Sequence, residues 1–92
     1  MVYVKILIDT HTLERAEERG TNEGEIKDVI NTGVLIPAKY NRLAKAKIYP
    51  FQGQRHGKFY EQKKVEVFYL IEKDFVITVT VYVFYGKWEE VK

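Results

Sequence analysis

The chain has 92 residues and a mass of 10.9 kDa, enough for one small core and no second. Hydrophobic residues at 46% and charged residues at 30% exclude a disordered or low-complexity chain. The absence of cysteine excludes a disulfide framework, a thiolate metal site and a cysteine nucleophile. A net charge of +2 conceals an uneven distribution. Residues 34–64 set Lys39, Arg42, Lys45, Lys47, Arg55, Lys58, Lys63 and Lys64 against Glu61 alone, a net of +7, while residues 1–33 carry −3 and residues 65–92 carry −2. A nearly pure basic middle third attracts polyanions.

Val2–Ile8 is rich in β-branched residues and predicts a first strand. Interrupted by Lys5, it is too short to span a bilayer, and no small-residue cleavage site follows, so neither a membrane span nor a signal peptide is expected. Together with the lack of cysteine this suits a cytoplasmic protein. A helix is expected from near Thr10, with Asp9 or Thr10 as N-cap, Gly20 as C-cap and a thin apolar stripe of Leu13 and Ala16. Asn22 followed by Glu25 has capping-box spacing, and Ile26, Val29 and Ile30 give a second helix one apolar face, closed by Gly33.

From Val34 the pattern changes to strands. Val34–Tyr40 contains Pro37 and reads as an edge strand, Ala44–Tyr49 as a weaker strand, and Pro50–Lys58 as a loop. Val65, Val67, Tyr69 and Ile71 alternate with Glu66, Phe68, Leu70 and Glu72. After a tight turn at Lys73-Asp74, Phe75, Ile77, Val79, Val81 and Val83 are expected on one face, with Thr78, Thr80, Tyr82 and Phe84 on the other. The expected architecture over residues 1–92 is a single α+β domain, two N-terminal helices packed on an antiparallel sheet of about four or five strands.

Three constellations carry candidate chemistry. His11, Arg15 and Arg19, at i, i+4 and i+8, form one stripe in which a neutral imidazole could move a proton near pH 7. The alternative is a solvated helix face in which the arginines pair with Glu14, Glu18 and Glu23. The basic segment interleaves Lys45, Lys47, Arg55, His56 and Lys58 with Tyr40, Tyr49, Phe51, Phe59 and Tyr60, a composition suited to gripping phosphates and stacking on unpaired bases. Aromatics facing the core would produce the same alternation. Thr80, Tyr82, Tyr85, Lys87 and Trp88 gather near the C-terminal end, where tyrosine and lysine can serve as acid–base groups or simply pack. No phosphate-loop pattern is present, and the two histidines lack metal-ligand spacing, so no metal or cofactor is expected.

The segment His11-Thr-Leu-Glu-Arg15-Ala-Glu-Glu-Arg19-Gly20, followed by Asn22-x-x-Glu25-Ile26 and by the strand Val79-Thr80-Val81-Tyr82, is similar to small domains with a His-x3-Arg-x3-Arg-Gly helix that resemble the RelE/ParE/BrnT-type toxins. Thr21, where an apolar residue is usual, and a Tyr85-Gly86-Lys87-Trp88-Glu89-Glu90 ending depart from that pattern. The resemblance implies a RelE-like fold and a cytoplasmic, metal-independent RNA endonuclease of a toxin–antitoxin pair, or a degenerate relative. It marks His11, Arg19, Thr80 and Tyr82. On this reading His11 or Tyr82 transfers protons, Arg15 and Arg19 hold phosphate, and Lys45, Lys47, Arg55, His56, Lys58 and Tyr60 bind RNA. An acidic antitoxin-like partner would cover the basic segment. The alternative is a non-catalytic nucleic-acid-binding or protein-interaction module.

Overall fold

A computed structural model describes residues 5–88. Val2–Val4 of the expected first strand, and Glu89 and Glu90 of the C-terminal segment, lie outside the described residues. The chain runs β1 (Lys5–Leu7), α1 (Thr10–Arg19), α2 (Glu23–Thr32), β2 (Val34–Ile36), β3 (Leu43–Arg55), β4 (Lys58–Glu72) and β5 (Phe75–Gly86). This is an α+β domain with one five-stranded sheet ordered β1-β5-β4-β3-β2. The sheet is mixed instead of wholly antiparallel, because β1 pairs parallel with β5 through Lys5↔Phe75 to Leu7↔Ile77. The two helices carry the chain over the sheet from β1 at one edge to β2 at the other, and the antiparallel run β2-β3-β4-β5 brings it back beside β1.

Capping sets the helix limits. The Asp9 carboxylate accepts from the Thr12 backbone and hydroxyl, and Asn22 accepts from the Glu25 N–H at 2.8 Å. Gly20 takes φ 95°, while Gly20 and Thr21 both donate to the Ala16 carbonyl, closing a Schellman turn. Gly33 closes α2 for a different reason. Its φ is −74°, but a Cβ there would lie 2.5 Å from the Val29 carbonyl of α2 and 2.9 Å from the Ala46 carbonyl of β3, so the residue is small because two backbones crowd it.

Ile26, Val29 and Ile30 are fully buried against Val65, Val67, Tyr69, Val76 and Val81. On α1 the inward residues are Thr12 and Ala16, and Leu13 is 36% exposed. Thr12 can replace an apolar side chain because its hydroxyl is satisfied by Asp9 and by Thr78, 3.2 Å away.

Two bulges correct the expected strands. Phe51 and Gln52 oppose Glu61 alone between the pairs Pro50↔Gln62 and Gly53↔Tyr60, with Gln52 at φ 48°. The bulge absorbs Pro50 and Gly53, so β3 continues to Arg55 where a loop was expected, and only His56-Gly57, at φ 54° and 80°, form the turn. In β5 the register moves from Phe68↔Thr80 to Tyr69↔Thr78, leaving Val79 over. An extra residue reverses the alternation. Val76 and Thr78 therefore face the helices before it and Val81 after it, where Phe75, Ile77, Val79, Val81 and Val83 had been expected on a single face.

Three substitutions check this packing. Gly20→Ala should destabilise the domain by about 1–2 kcal/mol through the left-handed backbone alone, and by more because the added Cβ would overlap the Tyr85 hydroxyl. Ile26→Ala should cost about 2–5 kcal/mol. Ile71→Ala, at a side chain 45% exposed, should stay within about 0.5 kcal/mol in urea unfolding.

Candidate functional site

The sheet presents two faces of different chemistry. On the helix side, Lys45, Lys47 and Tyr49 of β3 stand opposite Val67, Val65 and Lys63 of β4. Their polar ends reach up to the helices. Lys45 donates to the Ile30 carbonyl at 2.7 Å, and Lys47 to the Asp28 carboxylate at 2.6 Å and the Thr32 hydroxyl at 2.8 Å. Lys63 donates to the Gly20 carbonyl at 2.9 Å and the Glu25 carboxylate at 2.8 Å, and Arg55 donates to the Glu18 carbonyl at 2.5 Å. Tyr85 donates to the Arg19 carbonyl at 2.6 Å. The last carbonyls of α1 thus find their partners in the sheet, and three cations sit where the helix dipoles place negative charge. Half of the basic middle third is spent holding the chain's own helices.

Among the described residues no helix lies over the opposite face. Cross-strand neighbours share a face, so Lys64, Glu66 and Phe68 of β4 lie beside Phe84, Tyr82 and Thr80 of β5. The Phe68 and Tyr82 ring centroids are 5.7 Å apart, edge to face, and those of Tyr82 and Phe84 are 6.5 Å apart and nearly parallel. Tyr82 and Phe84 are 40% and 46% exposed. Lys64 stands over the rings of Phe84 and Trp88, at 5.6 and 5.3 Å, and approaches Glu66 at 3.5 Å. Among the described residues β1 pairs with Phe75–Ile77, and none of them pairs with the outer edge of β5 at Val81. Arg19 meets this edge. It donates to the Val81 carbonyl at 2.6 Å and places its guanidinium over the Tyr82 ring at 4.9 Å.

Next to this row the β2–β3 turn borders an open cavity of about 310 Å³ lined by Pro37, Ala38, Lys39, Tyr40, Arg42, Phe68, Thr80 and Tyr82. The turn is closed by a 3.2 Å hydrogen bond from the Arg42 N–H to the Lys39 carbonyl. The lining joins three rings to two cations.

Arg19 and Tyr82 are therefore brought together among the residues singled out in the sequence. Arg15 is tied to Glu18 at 3.2 Å, and His11 is exposed on the first turn of α1, roughly 12 Å along the axis from Arg19. Lys45, Lys47 and Arg55 bind the helices. His56 occupies the exposed β3–β4 turn, followed by Lys58, whose ammonium lies 5.6 Å from the Tyr60 ring. Tyr60 in turn leans on Tyr85 at 5.6 Å. The open face also includes Phe68, Lys64, Lys39 and Arg42. Phe68 was visible only as one member of an alternating strand, so no local signal marked it. Among the described residues no group of three or more His, Asp or Glu side chains is placed to hold a metal, and no helix is long and apolar enough to cross a membrane. No family model, curated protein or solved structure matches the chain.

Electrostatic shifts concentrate on the helix side. The Lys47 ammonium and the Tyr49 hydroxyl hold the Asp28 carboxyl below the usual aspartate range, and the Thr12 hydroxyl does the same for Asp9 against the opposing effect of burial. Burial and the neighbouring Asp28 push the Tyr49 phenol up. A depressed carboxyl stabilises the fold above its unfolded pKa, about 4, and this stabilisation drains away as pH falls towards the folded value. A raised phenol stabilises the fold below about 10 and loses that contribution as pH rises further. The melting temperature should therefore be flat between about pH 5 and pH 9 and fall on both sides. Asp28→Asn should lower the plateau and shallow both flanks, as followed by circular dichroism.

Proposed function

We infer that the chain binds single-stranded RNA on the open face of its sheet. The observation carrying this reading is the ring row Phe68–Tyr82–Phe84, with a guanidinium over its middle member and an ammonium over its end. Aromatic rings on a sheet receive unpaired bases by stacking, a contribution of about 1–3 kcal/mol per base that tolerates any sequence. Cations at the margin neutralise phosphates and set the position of the strand. Arg19, Lys39, Arg42 and Lys64 are the cations at this margin. On the helix side Lys45, Lys47, Arg55 and Lys63 are engaged with α1 and α2.

One observation favours a second reading, metal-independent cleavage. The guanidinium of Arg19 lies over the Tyr82 ring, so a phosphate-holding cation and a phenol share one place. In such a reaction the 2′-hydroxyl loses its proton and attacks phosphorus, the bond to the 5′-oxygen breaks, and that oxygen takes up a proton. Arg19 would hold the phosphate oxygens and Tyr82 would take part in proton transfer. Binding ranks first because it needs only groups the open face already brings together. Cleavage needs a second proton-transfer group beside Tyr82.

The test is the affinity for a short unstructured RNA as salt is varied. Four phosphate contacts on a single strand give a slope of about −3 in log K against log salt, and Lys39→Ser, Arg42→Ser and Lys64→Ser should each reduce it by about 0.7. Tyr82→Ala should weaken binding about tenfold. Loss of RNA over hours in EDTA, abolished by Tyr82→Phe, would establish the cleavage reading. No binding at low salt would contradict both.

A further inference from the structure

The turn beside the ring row carries backbone strain that packing does not explain. Tyr40 and Asn41 have φ of 60° and 59°, both in the left-handed region. Asparagine is at ease there, but a bulky side chain is not. Tyr40 gains nothing from burial in return, for it is 82% exposed. Positive φ at both central residues is what a type I′ hairpin turn requires, but such a turn prefers Asn, Asp or Gly at both, so a tyrosine ring at the first position has no reason in the turn itself. Tyr40 lines the cavity together with Lys39 and Arg42 of the same turn and with Phe68, Thr80 and Tyr82 of the sheet.

We propose that this cavity is a binding site for a single nucleotide, with the base held between the Tyr40 ring and the floor formed by Phe68 and Tyr82, and the phosphate met by Lys39 and Arg42. Three observations select this ligand. The volume of about 310 Å³ is at the small end of ligand cavities, a size that suits one nucleotide. Aromatic walls fit a flat heterocycle, and Thr80 adds a hydroxyl that can donate to or accept from a base edge. Lys39 and Arg42 both line the cavity from the one turn, which offers a bound phosphate two cations. The nucleotide can come from a strand running along Phe84 and Tyr82 into the cavity or from free mononucleotide. The first source rests on the RNA-binding reading and the second does not.

Calorimetric titration with adenosine and uridine 5′-monophosphates, with ribose 5-phosphate and with a hexa-adenylate strand separates the cases. The proposal expects the mononucleotides to bind, ribose phosphate to bind at least tenfold more weakly, and Tyr40→Gly to weaken mononucleotide and strand alike by about tenfold. Tyr40→Phe should retain binding. Glycine relieves the left-handed strain, so Tyr40→Gly should melt no lower than the parent while it loses the ligand. Ribose phosphate binding as tightly as the nucleotides would overturn the base site. Strand binding with no mononucleotide binding, unaffected by Tyr40→Gly, would overturn the cavity proposal and leave the RNA-binding reading intact. Mononucleotide binding with no strand binding would support the cavity and defeat that reading. Binding of neither would overturn both.

Discussion

One buried ammonium holds the arrangement together. Lys63 sits in the middle of β4, 9% exposed, and reaches the last carbonyl turn of α1 at Gly20 and the first turn of α2 at Glu25. It therefore meets the two helices at their shared corner, where α1 leaves orphan carbonyls and α2 begins with a carboxylate. The same corner needs Gly20 without a side chain, since the Tyr85 hydroxyl occupies the space a Cβ would take on its way to the Arg19 carbonyl. Removing one partner of a charge pair this secluded leaves the other buried and unpaired, which costs more than the pair contributes when intact. The corner is thus a constraint on geometry more than a reserve of stability.

The consequence reaches across the sheet. Because Lys45, Lys47, Arg55 and Lys63 are turned towards the helices, the acidic N-terminal third is itself the complement of half the basic middle third. An internal match of this kind removes those cations from competition for a polyanion. What is left for the opposite face is Lys64 and the pair on the β2–β3 turn, joined by Arg19, which arrives from α1 at the outer edge of β5. Few charges and several rings make a surface that recognises bases by their faces more than phosphates by their number, and association with it depends only moderately on salt.

How much of this was legible in the sequence varied with the range of the interactions. Asn22 and Glu25, followed by Ile26, Val29 and Ile30, announce α2 because capping and helical period are local. The alternation of Val65, Val67 and Tyr69 announces β4 in the same way. Val79 announces nothing. A bulge is a relation between two strands, and until β4 is laid beside β5 nothing distinguishes Val79 from the valines around it. The lysines show the limit most clearly. Alternating Lys45 and Lys47 read alike whether their ammonium groups end in solvent or on a helix carbonyl, so composition fixed their charge but not their employment. Arg19 and Tyr82, 63 residues apart in the chain, are joined in the sequence only by the family resemblance, and no spacing announces their contact. That contact is made at the outer edge of β5, where the Val81 carbonyl accepts from Arg19.

The central claim is that the two faces divide the work, the helix side for internal clamping and the aromatic side for the ligand. Its most direct test is a map of amide and aromatic NMR shifts as a short single-stranded RNA is added at low salt. The account predicts shifts concentrated on Phe68, Thr80, Tyr82, Phe84 and the Lys39–Arg42 turn, with Arg19 following Tyr82, while Lys45, Lys47 and Lys63 keep their positions. Shifts centred on Lys45, Lys47, Arg55 and the outer faces of α1 and α2, with the ring row unchanged, would contradict it.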